Sequence, residues 1–175
     1  MISSKLVHTV RDIADFPKPG IVFKDITPIL KDAALCSEVI DEFVARLEGI
    51  QVDVIAGIES RGFLFGLMLA NRLQVPFVPI RKKGKLPFKT VEEPCELEYG
   101  SAILELHKDA ISPGQKVLIH DDLLATGGTV GAATRLVQKL NGQVAGYAFV
   151  ISLDFLGAKE KLEQVSENII TLVSY

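Results

Sequence analysis

Along the chain the apolar positions switch repeatedly between a spacing near 3.6 and a spacing of 2, as helices alternating with strands require. Leu35, Val39, Phe43, Val44 and Leu47 mark one helical stripe, and Gly49 after them suits the left-handed position that closes a helix. Val52 to Ile58, VDVIAGI, reads as a buried strand. A second helix is expected over Gly62 to Leu73, followed by a strand over Pro76 to Ile80 whose prolines suggest a sheet edge or a constrained turn. From Arg81 to Pro94, RKKGKLPFKTVEEP, periodicity is weak and the segment reads as a loop.

Ala102 to Leu106 alternates like a half-buried strand, and Pro113-Gly114 makes a turn before an apolar core strand that ends at His120. Val130, Ala133, Leu136, Val137 and Leu140 space a helix over Thr129 to Leu140, closed by Asn141-Gly142. A strand over Val144 to Leu153, a helix over Lys159 to Val165 and a strand over Ile169 to Val173 complete the pattern. Alternating elements of this kind define an α/β fold.

The 175 residues fit a single domain over 1–175, given that domains run to about 100–200 residues. With 48% hydrophobic and 23% charged residues the chain has ample core material and does not resemble a disordered protein. Nineteen Lys and Arg against 22 Asp and Glu leave a net charge of −3, which disfavours a broad nucleic-acid or anionic-lipid surface. Cys36 and Cys95 lie far apart without CxxC or Cys/His metal spacing, and read as reduced thiols of a cytoplasmic protein. The amino-terminal residues lack the pattern of a signal peptide. Phe63 to Ala70, the longest apolar run, spans about 12 Å as helix against a bilayer core of roughly 30 Å, so no membrane span is expected.

Chemistry concentrates in Val117 to Thr129, VLIHDDLLATGGT. An apolar strand delivers two adjacent carboxylates and then a small-residue turn that opens a helix. Thr126, Gly127, Gly128 and Thr129 would set backbone N–H groups at a helix amino terminus, where unpaired donors and the helix dipole favour a phosphate. Asp121 and Asp122 would repel that phosphate but suit sugar hydroxyls or a metal-hydrated diphosphate. Together these point to a sugar phosphate. Neither GxxxxGK[ST] nor a GxGxxG after a strand is present, which removes most support for a nucleotide kinase or a dehydrogenase.

VLIHDDLLATGGT resembles the phosphoribosyl diphosphate signature of type I phosphoribosyltransferases, in the form carried by the adenine phosphoribosyltransferases. FPKPGIVFKDITPIL, GIESRGFLFG, RKKGKLP and LEYGSAILELHKDAI extend the resemblance through most of the chain in the family's order. It implies a five-stranded, largely parallel sheet flanked by helices, with a small flexible hood. The implied reaction moves phosphoribosyl from 5-phosphoribosyl 1-diphosphate to adenine and gives AMP and diphosphate, with Mg2+ held mainly by substrate oxygens and by Asp121 and Asp122 at most through water. A homodimer is implied as well.

The resemblance also implies roles. Asp121 and Asp122 take the ribose hydroxyls and the turn from Ala125 to Thr129 takes the 5-phosphate. Glu59, Ser60 and Arg61 form the diphosphate loop, with Arg61 catalytic, and Arg81, Lys82 and Lys85 approach the diphosphate, some from a neighbouring subunit. Lys83 and Lys89 are left unassigned. Glu98 serves as catalytic acid or base beside Tyr99 in the hood. Val22, Phe23 and Lys24 recognise the purine, largely through backbone groups, with Leu156 on its opposite face. A main-chain N–H and C=O match N1 and the 6-amino group of adenine, whereas a 6-oxo purine reverses that pattern. His120 stands where relatives carry an apolar residue and is read as structural. Competing readings are a transferase for another base and a regulatory module that keeps the sugar-phosphate site.

Overall fold

The structure, a computed structural model, describes residues 1–96 and 100–175. Strand β3 (Val54–Ile58) lies within the sheet, and every residue of it is buried. Both faces of such a strand are covered, so its sequence has no polar alternation. It pairs in parallel with β4 (Phe77–Lys82) on one side and β7 (Lys116–Leu124) on the other, and β8 (Gln143–Ser152) and β9 (Ile169–Ser174) continue the parallel series. These are the five strands expected of the family fold. An antiparallel pair, β5 (Thr90–Glu96) and β6 (Ser101–His107), extends the sheet beyond β4 to the order β5-β6-β4-β3-β7-β8-β9. A second, two-stranded sheet joins β1 (Arg11–Ala14) to β2 (Val22–Asp25).

Side chains leave a strand alternately to its two faces, and the core divides accordingly. Ile55 and Leu118 join Leu6, Val39, Phe43, Phe65 and Leu69 in one cluster. It is closed by α1 (Ile2–Thr9), α2 (Ala33–Arg46) and α3 (Gly62–Leu73). Ala56, Ile119, Tyr147 and Phe149 join the opposite cluster with Val130, Ala133 and Leu136, beneath α4 (Gly128–Lys139) and α5 (Lys159–Glu163). Asp32 caps α2 by accepting from the Leu35 N–H at 3.0 Å, and Gly49 takes φ +82° just beyond that helix.

Three sequence expectations need correction. β4 is interior to the sheet rather than an edge strand. Pro76 and Ile80 offer their carbonyls to Ile55 and Glu59, so Pro79 turns its missing N–H away from β3. On that side β6 pairs only at Arg81 and Lys82, and no ladder bond is lost.

The 81–94 segment is not one loop, because β4 runs to Lys82 and β5 starts at Thr90. An inward position of β5 is Glu93, a buried carboxylate that pairs with Arg135 at 2.8 Å and Lys139 at 2.7 Å. A charged residue at a core position hides the strand from hydrophobic periodicity.

β7, finally, does not stop at His120. It pairs with β8 as far as Leu124, with the two aspartates inside the strand.

Candidate active site

Parallel pairing of β3 with β7, with Gly57 opposite His120, brings the carboxyl ends of two adjacent strands to one edge of the sheet. Crevices of α/β sheets form there. A cleft of about 510 Å³ opens at this edge, lined by Phe23, Glu59, Ser60, Arg61, Lys82, Asp121, Asp122 and the whole 125–129 turn. Ala102, Leu104 and Leu123 also line it. Those three carry no chemical signal in the sequence, and only strand pairing places them.

The turn is shaped by its glycines. Gly127, at φ +81°, precedes α4 in the left-handed region that side chains with a Cβ rarely adopt. A Cβ on Gly128 would overlap the carbonyl oxygen of Glu96, at the end of β5. The first turn of α4 therefore presents unpaired N–H groups and the positive end of its dipole to the cleft, flanked by Thr126 and Thr129. The Cys95 thiol lies 3.7 Å from the Thr129 hydroxyl, and burial pushes that thiol up. Cys36 and Cys95 are both buried and unbridged.

Across the cleft, Arg61 Nε donates to Asp122 Oδ2 at 2.5 Å, with Asp122 buried and the Arg61 side chain 45% exposed. The guanidinium also lies 5.1 Å from the centre of the Phe23 ring, a cation–π distance. Asp121 Oδ1 accepts the Asp122 N–H at 2.8 Å. Burial, then the adjacent Asp122 carboxylate, pushes the Asp121 carboxyl well above the usual carboxylate range. One carboxylate of the pair is thus matched by a cation. The other is poised to share a proton or a hydrogen bond with a ligand hydroxyl.

Gly62 makes this geometry possible. A Cβ there would come within 2.8 Å of the His120 carbonyl oxygen and 3.1 Å of Asp121, so α3 approaches β7 this closely only through glycine. The peptide between Glu59 and Ser60 is cis. Glu59 lines the cleft, but its Oε2 accepts the Lys82 N–H at 2.9 Å and Arg81 Nε at 3.2 Å. That carboxylate braces β4.

Val22, Lys24, Arg81, Lys85 and Leu156 are not among the residues lining the cleft. Lys24 binds Asp12 at 2.7 Å and lies 3.8 Å over the Tyr175 ring, which ties β2 to the last strand. Phe23, its neighbour, meets the Phe16 ring edge-on at 5.3 Å. Lys83 pairs with Glu92 at 2.8 Å, whereas Lys82 and Lys85 form no ion pair among the described residues. Leu156 sits half-buried in a short 3-10 helix, Asp154–Leu156. Glu98 and Tyr99 lie outside the described residues.

His120 is fully buried, meets Phe43 edge-on at 5.5 Å, and has no hydrogen-bond partner of good geometry at either ring nitrogen. Burial pulls it down to about 4, so at neutral pH it is an uncharged packing residue. No cluster of three or more His, Cys, Asp or Glu suited to a metal ion occurs among the described residues. Among those residues, too, no helix is long and apolar enough to cross a membrane.

A helix start with unpaired N–H groups, paired carboxylates, and Arg61 and Lys82 in one cleft of a largely parallel sheet suit a sugar-phosphate transferase. Residues 24–173 match the phosphoribosyl transferase domain. The adenine phosphoribosyltransferase of Cytophaga hutchinsonii is 49% identical over 175 residues, covering 100% of this chain and 97% of that one. The crystal structure of the Thermoanaerobacter pseudethanolicus adenine phosphoribosyltransferase superposes with a TM-score of 0.95 at 49% identity over 100% of both chains. That of Saccharomyces cerevisiae, complexed with an imino-altritol bisphosphate and adenine, gives a TM-score of 0.91 at 42% identity over 98% of each chain. The chain belongs to the phosphoribosyltransferase family, and within it to the adenine phosphoribosyltransferases.

Proposed function

We infer that this chain, a single domain over 1–175, transfers phosphoribosyl from 5-phosphoribosyl 1-diphosphate to adenine, giving AMP and diphosphate in purine salvage. The observation that carries this reading is the meeting of the α4 cradle, Asp121, Asp122, Arg61 and Phe23 in one cleft. In the reaction the bond from the anomeric carbon to diphosphate breaks, positive charge develops on the ribose, and adenine N9 bonds to that carbon as its proton leaves. Fixed dipoles and in-line positioning lower such a barrier.

The 125–129 turn holds the 5-phosphate, and Asp121 and Asp122 hold the ribose hydroxyls. Arg61, with Glu59 and Ser60 beside it, receives the diphosphate together with Arg81, Lys82 and Lys85. Adenine lies against Phe23 and is read by main-chain groups of Val22, Phe23 and Lys24, with Leu156 facing them. Glu98 exchanges the purine proton, beside Tyr99.

Asp121 and Asp122 would help hold Mg2+ through water beside the diphosphate oxygens, and the ion would supply charge neutralisation of the leaving group. Mg2+ keeps several waters and needs only one or two carboxylates beside phosphate oxygens, which suits a site with two adjacent aspartates and no protein cage. The chain works in the cytoplasm, in keeping with two buried, unbridged thiols.

We place it in a homodimer that uses the outer face of α3, where Leu64, Leu67 and Met68 are 42%, 58% and 40% exposed. These positions share one helical stripe.

The test is direct. With Mg2+ and 5-phosphoribosyl 1-diphosphate, adenine should yield AMP and diphosphate, while hypoxanthine, guanine, xanthine and orotate should yield little nucleotide. Absence of AMP from adenine would overturn the reading.

A further inference from the structure

The residues between β4 and β5 are mostly exposed, and Gly84 among them stands at φ +84° with open space around it. Surface loops of this kind ordinarily sample many shapes. This one is held from beneath by a carboxylate with no part in the transfer chemistry. Glu105, on β6, is 3% exposed. Its Oε1 accepts the Lys85 N–H at 2.9 Å and the Leu86 N–H at 2.8 Å, and its Oε2 lies 3.4 Å from the Thr90 hydroxyl. Burial alone would raise the Glu105 carboxyl. The Leu86, Gly84 and Lys85 N–H groups outweigh burial and hold it below the usual value, so it stays ionised. Two backbone N–H groups and a hydroxyl converge on it, and an ionised carboxylate accepts at both oxygens and carries the charge that strengthens each bond, whereas an amide accepts at one.

The rest of the loop is fastened in the same way. Arg81 stands opposite Glu105 in the strand register, and its Nη1 donates to the Lys85 carbonyl at 3.2 Å. Glu59 holds the Lys82 N–H from the cleft side. Lys83 is occupied by Glu92, whereas Lys82, Lys85 and Lys89 form no ion pair among the described residues; of these, Lys82 lines the cleft and Lys85 has its N–H held by Glu105.

We propose that Glu105 is a positioning residue for the leaving diphosphate: by gathering the backbone N–H groups of the β4–β5 loop, it fixes the loop in the shape that presents Lys82 and Lys85. The inference rests on the reading of this loop as a diphosphate contact. Its advantage is preorganisation, because a lysine is a point charge on a flexible stem. A fixed backbone limits the freedom lost when two of them close on one anion.

The experiment measures binding of pyrophosphate with Mg2+ and of adenine, alongside thermal melting and steady-state kinetics. Glu105→Gln keeps the side-chain length and one oxygen beneath the Lys85 and Leu86 N–H groups, but removes the charge and puts an N–H2 where Oε2 faces the Thr90 hydroxyl. It should weaken pyrophosphate about 10-fold, the scale on which two hydrogen bonds lose their charge assistance. KM for 5-phosphoribosyl 1-diphosphate should rise more than kcat falls, and adenine affinity should stay within about twofold.

Should Glu105→Gln fail to fold, Gly84→Ala decides. It strains the same loop at a left-handed position surrounded by solvent, and should weaken pyrophosphate several-fold while lowering the melting temperature by only a few degrees. A Lys82→Ala/Lys85→Ala double variant separates the two ideas. Unchanged pyrophosphate binding in it would remove the loop from the diphosphate site altogether. Weakened binding there, beside unchanged binding in folded Glu105→Gln and in Gly84→Ala, would leave the loop its role and overturn the brace.

Discussion

Arg61 and Asp122 join the two halves of the cleft: Nε lies 2.5 Å from Oδ2, across 61 residues of sequence. The arginine follows β3 and the aspartate lies within β7, so the bond ties the segment after one strand to its parallel neighbour. It holds the group assigned to the diphosphate against the group assigned to the ribose. Before substrate arrives, each neutralises the other.

Replacing Asp122 with asparagine keeps the shape and removes the charge, so Arg61 loses its anchor while β7 stays paired. A charge-assisted hydrogen bond of this kind is worth about 1.5–3 kcal/mol, or roughly 10- to 100-fold. KM for 5-phosphoribosyl 1-diphosphate should rise by that factor with adenine affinity little changed. An unaltered KM in steady-state assays would show that the pair does not organise the sugar-phosphate site.

Gly128→Ala should be far more harmful than Gly131→Ala three residues along the same helix. The first places a methyl group on the Glu96 carbonyl, while the nearest atom to a Cβ on Gly131 is Arg135 Nη1 at 3.6 Å. Overpacking of the first kind costs about 1–3 kcal/mol and displaces the cradle, whereas glycine to alanine inside a helix gains up to about 1 kcal/mol. Melting curves and AMP titrations of the two variants measure the contrast. Equal behaviour would mean that β5 does not press on the phosphate turn.

Glu93 fastens the β5–β6 pair to α4 through Arg135 and Lys139. Hydrogen bonds from Lys139 and then Arg135 hold its carboxyl below the ordinary glutamate value of about 4.5. The stabilisation is therefore fully present above that value and is lost as pH falls through the lower, folded-state one. Glu93→Gln should cost about 1–3 kcal/mol at pH 7. The gap to the wild type should narrow as the pH drops below 4. Urea unfolding at pH 7 and below 4 measures both, and a gap independent of pH would rule out the ionic contribution.

Leu67, 58% exposed on α3, is the position at which to probe self-association. Leu67→Glu puts a charge into the apolar stripe and should convert a dimer to a monomer in light scattering, with a melting temperature changed little at dilute concentration. If the variant keeps the wild-type mass, the dimer does not use this helix face.

The α3 helix was legible to its end residues, Gly62–Leu73, because its apolar spacing is a local property. The order strand, paired aspartates, glycine turn, helix likewise located the turn that opens α4, since backbone donors at a helix start follow from local conformation. Other features were hidden for identifiable reasons. Glu93 sits inward in β5, so its strand reads as loop. Glu105 alternates like an outward polar residue and is instead buried by the loop that it holds. The aspartates looked like the end of β7 because two charges mark a strand end in sequence, although the ladder to β8 continues past them.

By itself, then, the sequence determined the elements, their α/β alternation and the chemical content of the 117–129 segment, all of which depend on residues within a few positions of one another. The tertiary structure alone decided that Arg61 meets Asp122, that Phe23 from a separate hairpin faces the same cleft, that Lys24 is spent on Asp12 and Tyr175, and that Glu59 and Glu105 brace a loop. Each of these pairings depends on which strands become neighbours. Strand order is chosen by burial of both sheet faces over the whole chain, which no local window of sequence contains.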